Sequence, residues 1–225
     1  MLIIAIPKSA STSIMQTMGY VHNLKSIQDF SFNTNPYPND INVIHALHSD
    51  IRELNKTVIE KFNKKDIFYK QHIYPSKNNI HLLKDIKKVI LLREPKDILE
   101  AYVRDSKKKH KVFLRNYNVN KTKTKCLIKY LIEEGLLEDL INFKNKWENN
   151  KDANTLVIHY SDYIRNTNKV VNEIESFYGL SLTNYNVKPV KARYSRGKTF
   201  NENIFKFTIT ILEFLKNKKY RKEIL

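Results

Sequence analysis

Residues 3–18 read IIAIPKSASTSIMQTM, and the fold turns on how the apolar run Ile3-Ile4-Ala5-Ile6 ends. Pro7 and Lys8 close that run. Five small residues follow, Ser9-Ala10-Ser11-Thr12-Ser13, four of them hydroxylic, and an apolar-periodic pattern then resumes. A buried strand feeding a short turn and a helix N-terminus is the opening unit of a βαβ crossover. At such a helix start the first backbone N–H groups lack partners and the helix dipole favours negative charge, so the turn is suited to a phosphate-like anion. Hydroxyls there add donors without bulk, and Lys8 adds a mobile full charge. A serine-rich N-cap beside an incidental surface lysine has the same composition, so segments further along the chain must discriminate. The stretch is not a Walker A sequence: G-x-x-x-x-G-K-[ST] is absent, and the lysine precedes the turn.

Working outward, short β-branched runs alternate with longer helical patterns, the signature of a parallel sheet flanked by helices. The patterning predicts strands over residues 2–6, 42–45, 67–71, 88–92 and 155–159. The run Lys88-Val89-Ile90-Leu91-Leu92 is continuously apolar after its lysine, as expected of a strand covered on both faces. Helices are predicted over 12–18, 50–64, 95–109, 126–149, 161–178 and 203–218. Pro95 suits a first-turn position, Ser161 or Asp162 a cap, and Gly179 a left-handed stop. The Asn-, Pro- and Ser-rich stretch 30–40 reads as a loop, and 107–125 as a basic connector. The apolar face of residues 127–143 and Trp147 reads as core.

With 225 residues and 41% hydrophobic content, the chain is expected to form a single domain spanning 1–225. The formal net charge of +17 favours anionic partners, although a solvated basic surface also accommodates many lysines. Cys126 is the only cysteine, which excludes an internal disulfide and thiolate metal clusters. His45 and His48 lie three apart, but no matching third ligand cluster accompanies them, and no metal is expected. The first apolar run is too short for a signal h-region, and no stretch approaches 18 apolar residues, so a cytoplasmic protein without a transmembrane anchor is expected.

Three further segments follow predicted strands: Lys70-Gln71-His72, Arg93-Glu94-Pro95-Lys96-Asp97 and Tyr160-Ser161-Asp162. In an open parallel sheet the carboxyl ends of the strands share one edge, so these residues should converge with Lys8 on one crevice. Arg93 could instead pair with Asp97, His72 could bond to backbone, and Tyr160 could belong to the core.

In these segments the sequence resembles the sulfotransferases that use 3′-phosphoadenosine 5′-phosphosulfate (PAPS). Pro7-Lys8-Ser9-Ala10-Ser11-Thr12-Ser13 is similar to the family's 5′-phosphosulfate loop, P-K-[ST]-G-[ST]-[ST]. Lys70-Gln71-His72 is similar to the K-T-H segment whose histidine is the base, and Arg93-Glu94-Pro95-Lys96-Asp97-Ile98 resembles the 3′-phosphate motif R-[DN]-P-[RK]-D-[VI]. Tyr160-Ser161-Asp162 resembles Y-[ED]-[DE]-[LM], whose tyrosine lies near the adenine. Tyr194-Ser195-Arg196-Gly197-Lys198 corresponds to the late R-K-G loop. The matches run in family order over almost the whole chain. There are departures: Ala10 replaces the usual glycine, Ala101 stands where a serine commonly meets the 3′-phosphate, and the late motif reads S-R-G.

The resemblance implies a three-layer α/β fold of the P-loop NTPase-like sulfotransferase type, with PAPS as donor, 3′,5′-bisphosphoadenosine (PAP) as product and no metal requirement. It assigns catalysis to His72, Lys8 and Lys70. It assigns nucleotide binding to Lys8, Ser9, Ala10, Ser11, Thr12, Ser13, Arg93, Ala101, Tyr160, Arg196, Gly197 and Lys198. The expected acceptor is a small molecule, glycan or peptide, with the positive charge pointing to an acidic one. The alternatives are a P-loop-like kinase or phosphotransferase, which would want a Mg²⁺-binding carboxylate at a strand end, and a non-catalytic basic nucleic-acid-binding module.

Overall fold

A computed structural model describes residues 1–27, 38–42, 51, 53–64, 66–109 and 123–190. Five strands, β1 (Leu2–Ala5), β2 (Lys25–Ile27), β3 (Ile67–Gln71), β4 (Lys88–Leu92) and β5 (Thr155–His159), form one sheet of order β2-β3-β1-β4-β5. Every pairing is parallel. Among the described residues seven α-helices surround it: α1 (Ser11–His22), α2 (Lys77–Leu82), α3 (Pro95–Lys109), α4 (Thr124–Glu133), α5 (Leu136–Asn149), α6 (Tyr160–Arg165) and α7 (Thr167–Tyr178). A 3₁₀ helix occupies Lys56–Asn63.

Side-chain alternation along the strands divides the core into two layers, because successive residues point to opposite faces of a sheet. Leu2, Ile4 and Ile6 join Ile90, Leu92 and the apolar faces of α3, α4 and α5. Ile3 and Ala5 join Val89, Leu91, Ile158 and residues of α1, α6 and α7. The central strands β1 and β4 are buried along their whole length, as a strand covered on both faces must be. The expected three-layer α/β architecture is therefore present. Trp147 and the apolar residues Leu127, Leu131, Leu140 and Phe143 lie in the core, as read from the sequence.

Four of the five expected strands coincide with observed ones, and the differences have local causes. The second strand is the short Lys25–Ile27, whose two exposed residues leave no alternating pattern to read. Asn42 instead sits outside regular structure, bonded through its backbone and side-chain nitrogens to Asp139 at 2.8 and 2.9 Å, while 43–45 lie outside the described residues. The helix expected over 50–64 is only the 3₁₀ helix, capped where the Asn55 side chain accepts from the Thr57 amide. The helix expected over 126–149 is two, broken at Gly135 (φ 83°). The one expected over 161–178 is also two, broken at Asn166, whose side chain caps α7 by accepting from the Lys169 amide. Helix α2 was not expected; Ser76 caps it by accepting from the Asn79 amide. The expected helix over 203–218, most of the 30–40 loop and residues 110–122 of the basic connector lie outside the described residues.

At the start of β4, Lys88 is buried to 2% exposure. Its ammonium donates to the carbonyls of Leu83 and Ile86 at 3.0 and 3.3 Å and pairs with Asp152. Desolvation lowers its pKa, and Asp152 opposes the shift. The lysine is thus a structural plug at the amino edge of the sheet, beside a cavity of about 540 Å³ that Lys84, Trp147 and Asp152 also line.

Candidate active site

The register fixes which residues meet at the carboxyl edge. Ile4 pairs with Gln71, Ala5 with Leu91, and Leu92 with His159, so β1, β3, β4 and β5 end side by side. His72, Arg93 and Tyr160 are the first residues beyond β3, β4 and β5, and the Pro7-Lys8 turn leaves β1 at the same edge. The predicted convergence is therefore a feature of the fold.

Three carbonyls of the β1 exit, those of Ala5, Ile6 and Lys8, are held by site residues. His72 Nδ1 lies 3.0 Å from the Ala5 carbonyl. Because a carbonyl only accepts, Nδ1 carries the proton, and in the neutral ring Nε2 carries the lone pair. The Ile6 carbonyl accepts from the hydroxyl and the amide of Ser9 at 2.7 and 3.3 Å. The Lys8 carbonyl accepts from Arg93 Nη1 at 2.9 Å.

The turn itself is strained. Lys8 (φ 71°) and Ala10 (φ 69°) both hold the left-handed conformation, which costs an L-residue with a Cβ roughly 1–2 kcal/mol. Ala10 is the N-cap of α1 and supplies no side-chain bond to it. The five small residues divide by task. Ser9 is fully buried and its hydroxyl closes the turn. Ser13 donates to the Val190 carbonyl at 2.5 Å and meets the Tyr163 hydroxyl at 3.1 Å. Ser11 and Thr12, at the first turn of α1, spend no side-chain hydrogen bond on the described residues. They are the pair suited to an incoming anion.

Arg93 ties the elements together. Its guanidinium lies 4.5 Å from the centre of the Tyr160 ring, and its Nε is 4.0 Å from Asp97 Oδ2, one helical turn on. Both alternatives read for Arg93 and Tyr160 are thus partly realised: the arginine pairs loosely with Asp97, and the tyrosine is partly buried against the core layer that holds Ile158 and Tyr163. Desolvation lowers the pKa of Arg93, but an arginine remains charged at neutral pH. Nε is buried and makes no hydrogen bond within the described residues, leaving a donor on a buried cation.

Lys70, 5% exposed, pairs with Ile3 and shares the parity of Phe68, which faces the α1 layer. Ala101 is buried in α3 and offers no side-chain donor. Arg196, Gly197 and Lys198 lie outside the described residues. Sequence reading missed Tyr163, whose hydroxyl sits 3.1 Å from Ser13 and 2.9 Å from Thr17 and anchors α1 to α6. Its only signal was its place two residues after the Ser161 cap position. Among the described residues no group of three or more His, Cys, Asp or Glu is arranged to hold a metal ion, and no helix is long and apolar enough to cross a membrane.

A family model for the sulfotransferase domain matches residues 1–224. No curated protein sequence is significantly similar to the chain. Among solved structures, a sulfotransferase from Alicyclobacillus acidocaldarius is similar with a TM-score of 0.52 at 13% identity, over 95% of this chain and 94% of that one. Mouse sulfotransferase SULT7A1, complexed with PAP, gives 0.52 at 14% identity, over 82% of this chain and 59% of that one. Retinol dehydratase in a complex with retinol and PAP gives 0.53 at 16% identity, over 81% and 60%. The chain spans about three fifths of the last two proteins, and at these identities the likeness speaks for the fold alone.

Proposed function

The chain belongs to the sulfotransferase domain family, and on that premise we propose that it transfers a sulfuryl group from PAPS to a hydroxyl or amine of an acceptor. The observation that carries this reading is the meeting of the Lys8 turn with His72 and Arg93 at one sheet edge, tied by the 2.9 Å bond from Arg93 to the Lys8 carbonyl. The residues present fit a doubly phosphorylated donor: a buried guanidinium nitrogen without a hydrogen-bond partner, two hydroxyls at a helix start, and the helix amides beside them.

In this reading Lys8, Ser11, Thr12 and the first amides of α1 hold the phosphosulfate end, while Arg93 holds the 3′-phosphate. Ser9, Ala10 and Ser13 shape the loop that presents them. Arg196 and Lys198, with Gly197 between them in the sequence, contribute further positive charge, and Ala101 makes only apolar contact. The donor supplies the sulfuryl group and a phosphate leaving group. His72 accepts the acceptor's proton on Nε2 while its Nδ1–H stays on Ala5, which keeps the ring oriented as charge develops. Lys8 meets the negative charge on the departing oxygen, and Lys70, on β3 two residues before His72, stabilises the sulfonate in flight. No metal is needed, since cations of the chain do this work. The acceptor is a small molecule, glycan or peptide; the net charge of +17 favours an acidic one.

A kinase would place a carboxylate at a strand end, whereas the residues that follow β1, β3, β4 and β5 are Ile6, His72, Arg93 and Tyr160. Thermal unfolding with PAP alone, ATP with Mg²⁺, and a short oligonucleotide separates the readings. PAP should raise the midpoint without metal; a response only to ATP with Mg²⁺ would overturn the proposal. The variant His72→Ala should keep the PAP response and lose transfer by about 10²–10⁴-fold. Retained turnover in that variant would remove His72 from the base role.

A further inference from the structure

We infer that Tyr160 and Arg93 form a latch on the Lys8 peptide, so that Tyr160 is a positioning residue acting through Arg93 on the turn that carries the Lys8 ammonium. The claim about the latch rests on geometry alone; its kinetic consequence rests on the function proposed above.

Lys8 is a non-glycine residue in the left-handed region, and such a conformation persists only where surrounding contacts over-determine it. The contact on its carbonyl is Arg93 Nη1, which reaches from the end of β4 to the turn after β1. A single hydrogen bond fixes one point of a guanidinium and leaves its plane free to tilt. The Tyr160 ring supplies the missing restraint, since it lies 4.5 Å from Arg93 Cζ and belongs to a third element, the start of α6. Asp97 is the competing partner. It stands 4.0 Å from Nε, is half exposed, and lies only four residues further along the chain, in the first turn of α3. With the ring gone, Arg93 has a route toward Asp97 and water, and the bond from Arg93 to the Lys8 carbonyl weakens. The ammonium four bonds beyond the Lys8 Cβ would then have no fixed origin, and misplacement of a group by about 1 Å can cost on the order of 10²-fold in rate.

A tyrosine that merely touched the nucleotide would behave differently. Its removal would raise the donor KM and leave kcat, because the lost contact is the same in ground and transition states. The latch predicts the opposite split for Tyr160→Leu: kcat falls about tenfold or more, with the larger share of the loss in kcat. The ligand-free readout is the ¹⁵N resonance of Ser9, whose nitrogen belongs to the peptide that Arg93 bonds. In Tyr160→Leu and in Arg93→Met that resonance should move, and in Tyr160→Phe, which keeps the ring, it should stay at its wild-type position. A Ser9 resonance unmoved in Tyr160→Leu overturns the latch, as does a loss confined to KM. If Tyr160→Leu does not fold, Arg93→Met decides by the same resonance. If the wild-type protein neither binds PAP nor transfers sulfuryl, the proposed function fails, and the Ser9 resonance still decides the latch.

Discussion

At Ala10 the backbone holds φ 69° and ψ 19° at the residue that opens α1, and the methyl group returns nothing to the helix as a cap. Glycine enters this region without a Cβ penalty, at the expense of greater freedom in the unfolded chain. The steric relief is the larger effect, so Ala10→Gly should raise stability by about 1 kcal/mol, read as a higher urea midpoint with an unchanged slope. A lower midpoint would mean that Ala10 is held by packing on its methyl. The position was legible in the sequence as a departure from the family's glycine, but the strain at Lys8 was not, because nothing in a lysine announces a positive φ. The tasks of Ser9 and Ser13 were hidden for a related reason. A serine hydroxyl binds an anion or its own backbone with equal ease, and only the position of the Ile6 and Val190 carbonyls decides.

Among the elements, the central strands β1 and β4 were readable because strands covered on both faces are apolar runs of unusual density, and β3 and the half-buried edge strand β5 because short β-branched or aromatic runs alternate with helical patterns. Helix breaks were not. A periodic apolar face continues across Gly135, and an isolated glycine in a helical pattern is only weak evidence of a stop. Gly135 follows α4 and is the N-cap of α5, and a Cβ there would lie 2.6–2.8 Å from the Asn42 side chain. Gly179, which ends α7 at φ 69°, has nothing within 4 Å of the same added atom. Both glycines satisfy a left-handed backbone, but only one also sits under a neighbour. Gly179→Ala should therefore cost about 1 kcal/mol, the conformational penalty alone. Gly135→Ala should cost more, about 2–3 kcal/mol, because Asn42 must also give way and its bonds to Asp139 with it. Denaturant unfolding of the two variants checks the order; equal losses would show that Asn42 moves freely.

Across the whole molecule, a brace far apart in sequence supports the site, and this was the least legible part of all. In the last turn of helix α5 lies Trp147, whose indole N–H donates to the Ile73 carbonyl, next to His72, at 3.4 Å. The first turn of the same helix carries Asp139, whose Oδ1 accepts from both Asn42 nitrogens and so ties residues 38–42 to the α3–α5 layer. Asp139 Oδ2 is buried without a hydrogen bond among the described residues. Burial is the main reason its carboxyl is pushed up to about 6 from an ordinary 3.8; the Asn42 donors oppose the shift, and Glu138 and Asp40 add to it. The sign of the consequence follows from proton counting. Between about pH 4 and pH 6 the folded state holds this proton more tightly than the unfolded chain, so the stability it contributes is present below that window and lost as pH rises through it. Asp139→Asn keeps an oxygen to accept from Asn42 and removes the titration, so its stability should lack the share of the pH 4-to-6 decline that Asp139 causes. Urea midpoints of wild type and variant at about pH 4.5 and about pH 7 measure this directly. The gap between the two proteins should widen at the higher pH in favour of the asparagine; a constant gap would mean that Asp139 does not titrate in the folded chain within that window.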